Sequence, residues 1–173
     1  PLLVADGLKA MQDAVDIPVT VKHRIGIDRI ESYDFVRDFV GQIAARAGVR
    51  VFIVHARNAW LQGLSPKENR DIPPLRHGFV HRLKRDFPEL TIVINGGITS
   101  TAQIDEQLRH VDGVMVGRAA YHDPWLMTQW DSRWLEVPAQ ERDRLAVERA
   151  MVDYMQRQVS LGVPWPHIAR HML

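Results

Sequence analysis

Apolar positions along the chain fall into two patterns. Four short runs are continuously apolar and rich in β-branched residues: Val19-Thr20-Val21, Val51 to Val54, Thr91 to Ile94, and Asp112 to Val116. Continuous runs, rather than strict alternation, predict parallel strands covered on both faces. Between the runs the apolar spacing is helical. Leu2 to Ala14 carries Leu3, Leu8 and Met11, with Val15 just beyond, and Ile17-Pro18 ends that helix. Ser32 is placed to cap a helix through Arg46, with Phe35, Val36, Phe39, Val40 and Ile43 on one face and Gly48 at its stop. Val80 to Phe87 reads as helix up to Pro88. Ser100 is an N-cap, and Gln103 three residues on completes a capping box. Asn58 to Pro74 reads as one long polar loop. Strands recurring every roughly twenty to forty residues, with helices between, predict βα units joined by right-handed crossovers.

The pattern changes after Tyr121. Asp123-Pro124 and a segment with Trp125, Trp130 and Trp134 lead to Pro138. Ala139 to Ser160 then reads as one amphipathic helix, with Leu145, Val152, Met155 and Val159 as its stripe, closed by Gly162 and Pro164. A further helix begins near Pro166. The fold class expected is α/β: residues 1–134 as four βα units, half of a (β/α)8 (TIM) barrel, and residues 135–173 as the start of a helical domain. A half barrel exposes two sheet edges and an apolar inner face. A missing N-terminal half, or self-association, is expected to cover them. The chain starts at Pro1 without Met and stops inside a helical stretch, so a piece of a longer protein is expected.

Composition changes this picture little. Hydrophobic content of 46% and charged content of 25% are ordinary for a globular protein of 173 residues. No apolar run is long enough to span a bilayer, so no membrane partner and a cytoplasmic location are expected. There is no cysteine, which excludes disulfides, thiolate metal sites and a catalytic thiol within this chain. The net charge of +1 gives no argument for a polyanion. Of the 22 basic residues, 18 are arginine, the better bidentate phosphate ligand, although codon bias explains the excess equally well.

In barrel enzymes the binding and reactive groups sit at the C-terminal ends of strands. Here those ends carry Lys22, then His55 with Arg57, then Asn95-Gly96-Gly97, then Gly117-Arg118. Glycine just past a strand lets backbone approach a ligand closely, and its N–H groups can cradle phosphate. Arg118 adds a fork of donors. Either glycine turn alone reads as a tight turn; the pair, one helix apart, reads as a phosphate site on the last two barrel strands. Lys22 alone could snorkel to the surface, and His55 alone could be a core histidine. Together the four ends describe a ligand with a phosphate arm and an acceptor-rich ring, the shape of flavin mononucleotide (FMN).

The segments VTVKHRIGID, FIVHARNAWLQGLSPKENRDIPPL, IVINGGI and DGVMVGRAAYHDPW closely resemble tRNA-dihydrouridine synthases. The loop from Ala59 to Arg70 resembles the A-type (20/20a) subfamily. The glycine motifs are shared by many phosphate-binding barrels, whereas the loop is long and specific. The resemblance implies an oxidoreductase that passes hydride from NADPH through FMN to C6 of D-loop uridines. It implies that Lys22 contacts the flavin ring and the region of the target uracil, and that His55 contacts the flavin. It implies that Asn95, Gly96 and Gly97 hold the ribityl-phosphate, and that Gly117 and Arg118 complete the phosphate cradle. Lys67 and Arg70, and more weakly Arg57, would contact tRNA, as would the helical appendix. No metal is implied. The family's general acid is a cysteine in the N-terminal half, so no catalytic residue is expected in this chain, and the chain alone is expected to be inactive and to hold FMN weakly or not at all. Two other readings compete: another phosphate-binding barrel, such as an aldolase, an isomerase or a dihydroorotate-dehydrogenase-like enzyme, and a non-catalytic RNA-binding fragment.

Overall fold

A proline at position 18 cannot donate to a sheet ladder, and the first strand pairs only three residues beyond it. In the computed structural model, which describes residues 1–141 and 143–170, helix α1 (Leu2–Ala14) is followed by strand β1 at Val21–Arg24. The expected strand over Val19 to Val21 is therefore displaced, and Lys22 lies inside β1 rather than past its end. Helix α2 (Tyr33–Ala47) follows, then β2 (Val51–His55), a short α3 (Glu68–Asp71) and α4 (His77–Asp86). Then come β3 (Thr91–Asn95), α5 (Thr101–Leu108), β4 (Gly113–Met115) and α6 (Arg118–His122). The four strands form one parallel sheet in the order β1-β2-β3-β4.

Local signals set the helix ends. Ser32 accepts a hydrogen bond from the Phe35 N–H at 3.2 Å, and Gly48, at φ 70°, donates to the Ala44 carbonyl at the other end of α2. Ser100 accepts from the Gln103 N–H, as the box requires. The Gln103 side chain reaches one residue further back than expected, accepting from the Thr99 N–H at 2.8 Å. The last strand is shorter than its apolar run because the Asp112 carboxylate accepts from the Ile92 N–H and pairs with Lys84 at 2.9 Å.

The sheet is covered on one face. Phe52, Val54, Ile92 and Ile94 are fully buried together with Val36, Val40 and Ile43 of α2 and Val80 and Leu83 of α4. The residues alternating with them, Val51, Ile53 and Val93, are half-buried, and Lys22 is exposed. Within the first unit, the expected cover on both faces is complete only on the side of α2 and α4, and the alternate strand positions stay partly open.

The chain divides into two compact units, with the boundary between Leu126 and Met127 inside a 3-10 helix at Pro124–Gln129. That is earlier than the expected boundary after residue 134. The second unit contains α7 (Trp130–Trp134), α8 (Arg144–Ser160) and α9 (Trp165–Ala169). The expected helix over Ala139 to Ser160 begins at Arg144, where the Asp143 side chain accepts from the Leu145 N–H at 2.9 Å. Arg142, within the expected span, and residues 171–173 lie outside the described residues. Met151, Met155 and Gln158 form the half-buried stripe of α8, while Leu145, Val152 and Val159 are exposed. No described helix is long and apolar enough to cross a membrane.

Candidate functional site

Parallel pairing in register places side chains in rows. Arg24 pairs with His55, His55 with Asn95, and Asn95 with Met115, so one row crosses all four strands at their C-terminal ends. Lys22, Ile53, Val93 and Gly113 form the row beneath it on the same face, since side chains two residues apart point the same way. At this end of the sheet lies a cavity of about 660 Å³. All seven residues expected to meet a cofactor line it: Lys22, His55, Asn95, Gly96, Gly97, Gly117 and Arg118. Of the three expected RNA contacts, Arg70 lines it, while Lys67 and Arg57 do not.

The glycine turn after β3 has a steric cause. Gly96 stands at φ 115° and Gly97 at φ 71°, where other residues are strained. A Cβ at Gly97 would lie 2.3 Å from Leu75, and one at Gly96 would lie 2.7 Å from the His55 ring. His77 holds the turn by a ring-nitrogen hydrogen bond to the Gly96 carbonyl at 2.8 Å. Gly117 differs: its φ is negative, and an added Cβ meets no atom within 4 Å. That glycine is not demanded by packing within the chain, and its place beside the cavity leaves room for a ligand's close approach.

Asn95 is partly committed. Its side-chain amide donates to the Met115 carbonyl at 2.7 Å, so it also fixes the end of β4. Arg118 forms an ion pair with Asp71 at 3.0 Å. Arg57, expected to face RNA, instead donates from Nη1 to the Asp71 carbonyl at 2.9 Å and to the Pro73 carbonyl. Arg24 donates from Nη1 to the carbonyls of Asn58, at 2.7 Å, and Asn69, at 2.8 Å.

The mouth is electropositive. Burial, then the charges of Arg24, Lys22, Arg57 and Arg118, push the His55 imidazole down to about 4. His55 is therefore neutral at neutral pH, able to donate from one ring nitrogen and accept at the other. Burial also lowers His23, whose Nδ1 bonds the Arg24 carbonyl at 2.9 Å and whose Nε2 is buried without a partner.

Sequence reasoning missed Arg24 as a cavity residue, although period-two spacing from Lys22 places it on the same face. It also missed α3 inside the long loop. The signal was Ser65-Pro66-Lys67-Glu68: the Ser65 N–H donates to the Glu68 carboxylate at 2.8 Å and the Glu68 N–H to the Ser65 hydroxyl at 3.3 Å, a reciprocal capping box.

Comparison with known proteins gives the same direction. The tRNA-dihydrouridine(20/20a) synthase of Salmonella typhi is 53% identical over 171 residues, which is 99% of this chain and 52% of that protein. The proteins of the same name from Yersinia pestis and Haemophilus ducreyi are 51% and 54% identical over 99% of the chain. The chain thus spans about half the length of the curated relatives it matches. The family model for dihydrouridine synthase (Dus) matches residues 1–173, and with this identity over nearly every residue the chain belongs to the dihydrouridine synthase family.

Proposed function

We propose that this chain is half of an FMN-dependent tRNA-dihydrouridine(20/20a) synthase, with its first unit forming four of the eight βα units of a TIM barrel and its helical second unit meeting tRNA. One observation carries the reading: four consecutive parallel strands bring Lys22, His55, Asn95-Gly96-Gly97 and Gly117-Arg118 to a single cavity. The open inner face of the sheet, apolar at Val51, Ile53 and Val93, supports a barrel interior completed from outside this chain.

The residues present fit FMN. Gly117 leaves open space at the cavity wall, Arg118 offers a guanidinium to a phosphate, and Asn95 to Gly97 bring backbone within reach of a ribityl chain. When bound, FMN supplies hydride transfer from NADPH to the uracil C6. Lys22, one row below His55, gives a cationic donor where negative charge develops. Neutral His55 gives one donor and one acceptor to the ring and adds no charge of its own. Arg118 is paired with Asp71, so it would hold a cofactor phosphate only by sharing its guanidinium between the two anions. A proton for C5 comes from beyond this chain, which has no cysteine to serve as the family's acid. Lys67 and Arg70, carried at or beside α3, are the phosphate-facing groups for tRNA. The target base must leave the stack to reach such a cavity.

The test uses the complete protein with tRNA lacking the modification. A copurifying flavin spectrum, and dihydrouridine formed with NADPH, are expected. Lys22→Ala in that protein is expected to lower turnover by about a hundredfold, the scale of one lost preorganised donor. A colourless protein, or one that leaves uridine unreduced, refutes the reading. This chain alone is expected to give no turnover.

A further inference from the structure

The segment from Asn58 to Pro73 contributes Ala59 and Arg70 to the cavity lining, and two arginines hold its backbone. Each does so with a single nitrogen. Arg24 Nη1, at the end of β1, donates to Asn58 and Asn69, residues at the two ends of the turn that contains Trp60. Arg57 Nη1, two residues past His55, donates to Asp71 and Pro73. Asn69 closes the turn on itself: its amide donates to the Trp60 carbonyl at 2.5 Å, and its Oδ1 accepts from the Trp60 N–H at 2.8 Å. The start of the segment continues the β1-β2 pairing, with the Ala59 N–H donating to Gly26 and the Asp28 N–H to Ala59. Every one of these contacts fixes backbone, and α3 itself carries two of the four arginine-bound carbonyls, those of Asn69 and Asp71. Of the segment's two basic side chains, Arg70 lines the cavity and Lys67, at the start of α3, is exposed to solvent.

We propose that Arg24 and Arg57 are positioning residues, which hold the 58–73 segment rigid so that Arg70 and Lys67 meet an RNA backbone at a fixed height above the cavity. The RNA part rests on the synthase reading above. One nitrogen of each guanidinium is committed to carbonyls in bonds strengthened by the donor's charge, part-buried for Asn58, Asn69 and Pro73 and exposed for Asp71. Loss of either arginine leaves two carbonyls without their donor and lets the segment open locally.

Two measurements on the complete protein decide it. The first is amide hydrogen exchange across residues 60–72 without RNA. Arg24→Met and Arg57→Met are each expected to speed that exchange about tenfold, with the sheet amides unmoved. The double variant is expected to gain less than the product of the two, because both clamps serve one segment. Arg24→Lys is expected to recover much of the protection, since a lone ammonium can also donate to two carbonyls. The second measurement is steady-state reduction of tRNA. KM for tRNA is expected to rise about tenfold in the Met variants, and in Arg57→Met, whose side chain does not line the cavity, kcat and flavin content are expected to stay within about twofold of wild type. Unchanged exchange overturns the proposal, because an arginine that touches RNA directly would leave these amides as they were. A fall in kcat at constant KM also overturns it. If the wild-type protein reduces no uridine, the synthase reading is what fails, and faster or unchanged exchange alone then supports or overturns the clamp.

Discussion

On the helix side of the sheet, Phe52, Val54, Ile92 and Ile94 expose no surface at all. On the other side, the residues that alternate with them stay half open, and Lys22 stands in solvent beside them. Both sets belong to the same strands and are apolar to a similar degree. The difference lies in what faces them. The covered side meets helices supplied by this chain, and its residues contribute about 1.5–3 kcal/mol each from burial. The open side holds its apolar surface ready for other atoms and ends in polar groups at the cavity. Apolar sequence is therefore evidence of two covers, of which one is present here.

That contrast is open to direct attack. The largest effect is expected from Ile92→Ala: a loss of about 2–5 kcal/mol in urea unfolding of this chain, because the cavity left in a packed layer cannot collapse. Val93→Ala, its neighbour on the open side, is expected to cost under about 1 kcal/mol, since little contact is lost. Equal losses would break the comparison. A smaller effect is expected from Gly97→Ala, about 1–3 kcal/mol from a positive φ and an overlap with Leu75. Trimming Leu75 to Ala in the same chain should relieve the overlap but leave the backbone strain, so recovery should be partial. The smallest concerns pH. Folded His55 titrates near 4 against an ordinary value of 6.5, so the unfolded chain binds more protons between those values. Stability is therefore full above 6.5 and is lost as pH falls through that window. His55→Asn is expected to flatten the fall in urea midpoint between about pH 7 and pH 5, though not abolish it, because burial depresses His23 and His81 in the same direction. An unaltered slope would mean that neither burial nor the cationic mouth lowers His55.

Much of the first unit was legible because its signals are local. Ser32, Gly48 and Ser100 mark helix ends through hydrogen bonds made within a few residues. The β2 and β3 runs needed only their composition to be recognised. The site was legible to the extent that strand ends in parallel sheets must converge, and the cavity gathers all seven residues expected there. What escaped depends on distant partners. The start of β1 is decided by its pairing with β2, which moves Lys22 inside the strand. The lowered pKa of His55 comes from burial first and then from four cations, three of them on other strands or turns. The roles of Arg24 and Arg57 depend on carbonyls of the long loop, up to 45 residues away for Arg24. In the second unit, only Met155 of the stripe expected from Leu145 to Val159 is half-buried, and Leu145, Val152 and Val159 are exposed. Exposed apolar residues carry the same sequence signal as buried ones.

The register of the sheet works like a reading frame for the cavity. Arg24, His55, Asn95 and Met115 stand level only because each strand is paired residue for residue with the next. Replacing one of them changes a single letter at the mouth. Deleting one residue ahead of it in β2 sends His55 to the helix side and brings Ala56 into its place, since side chains alternate with period two. Chemistry at this mouth can therefore be edited by substitution within the strands, while changes of length are confined to the loops that follow them.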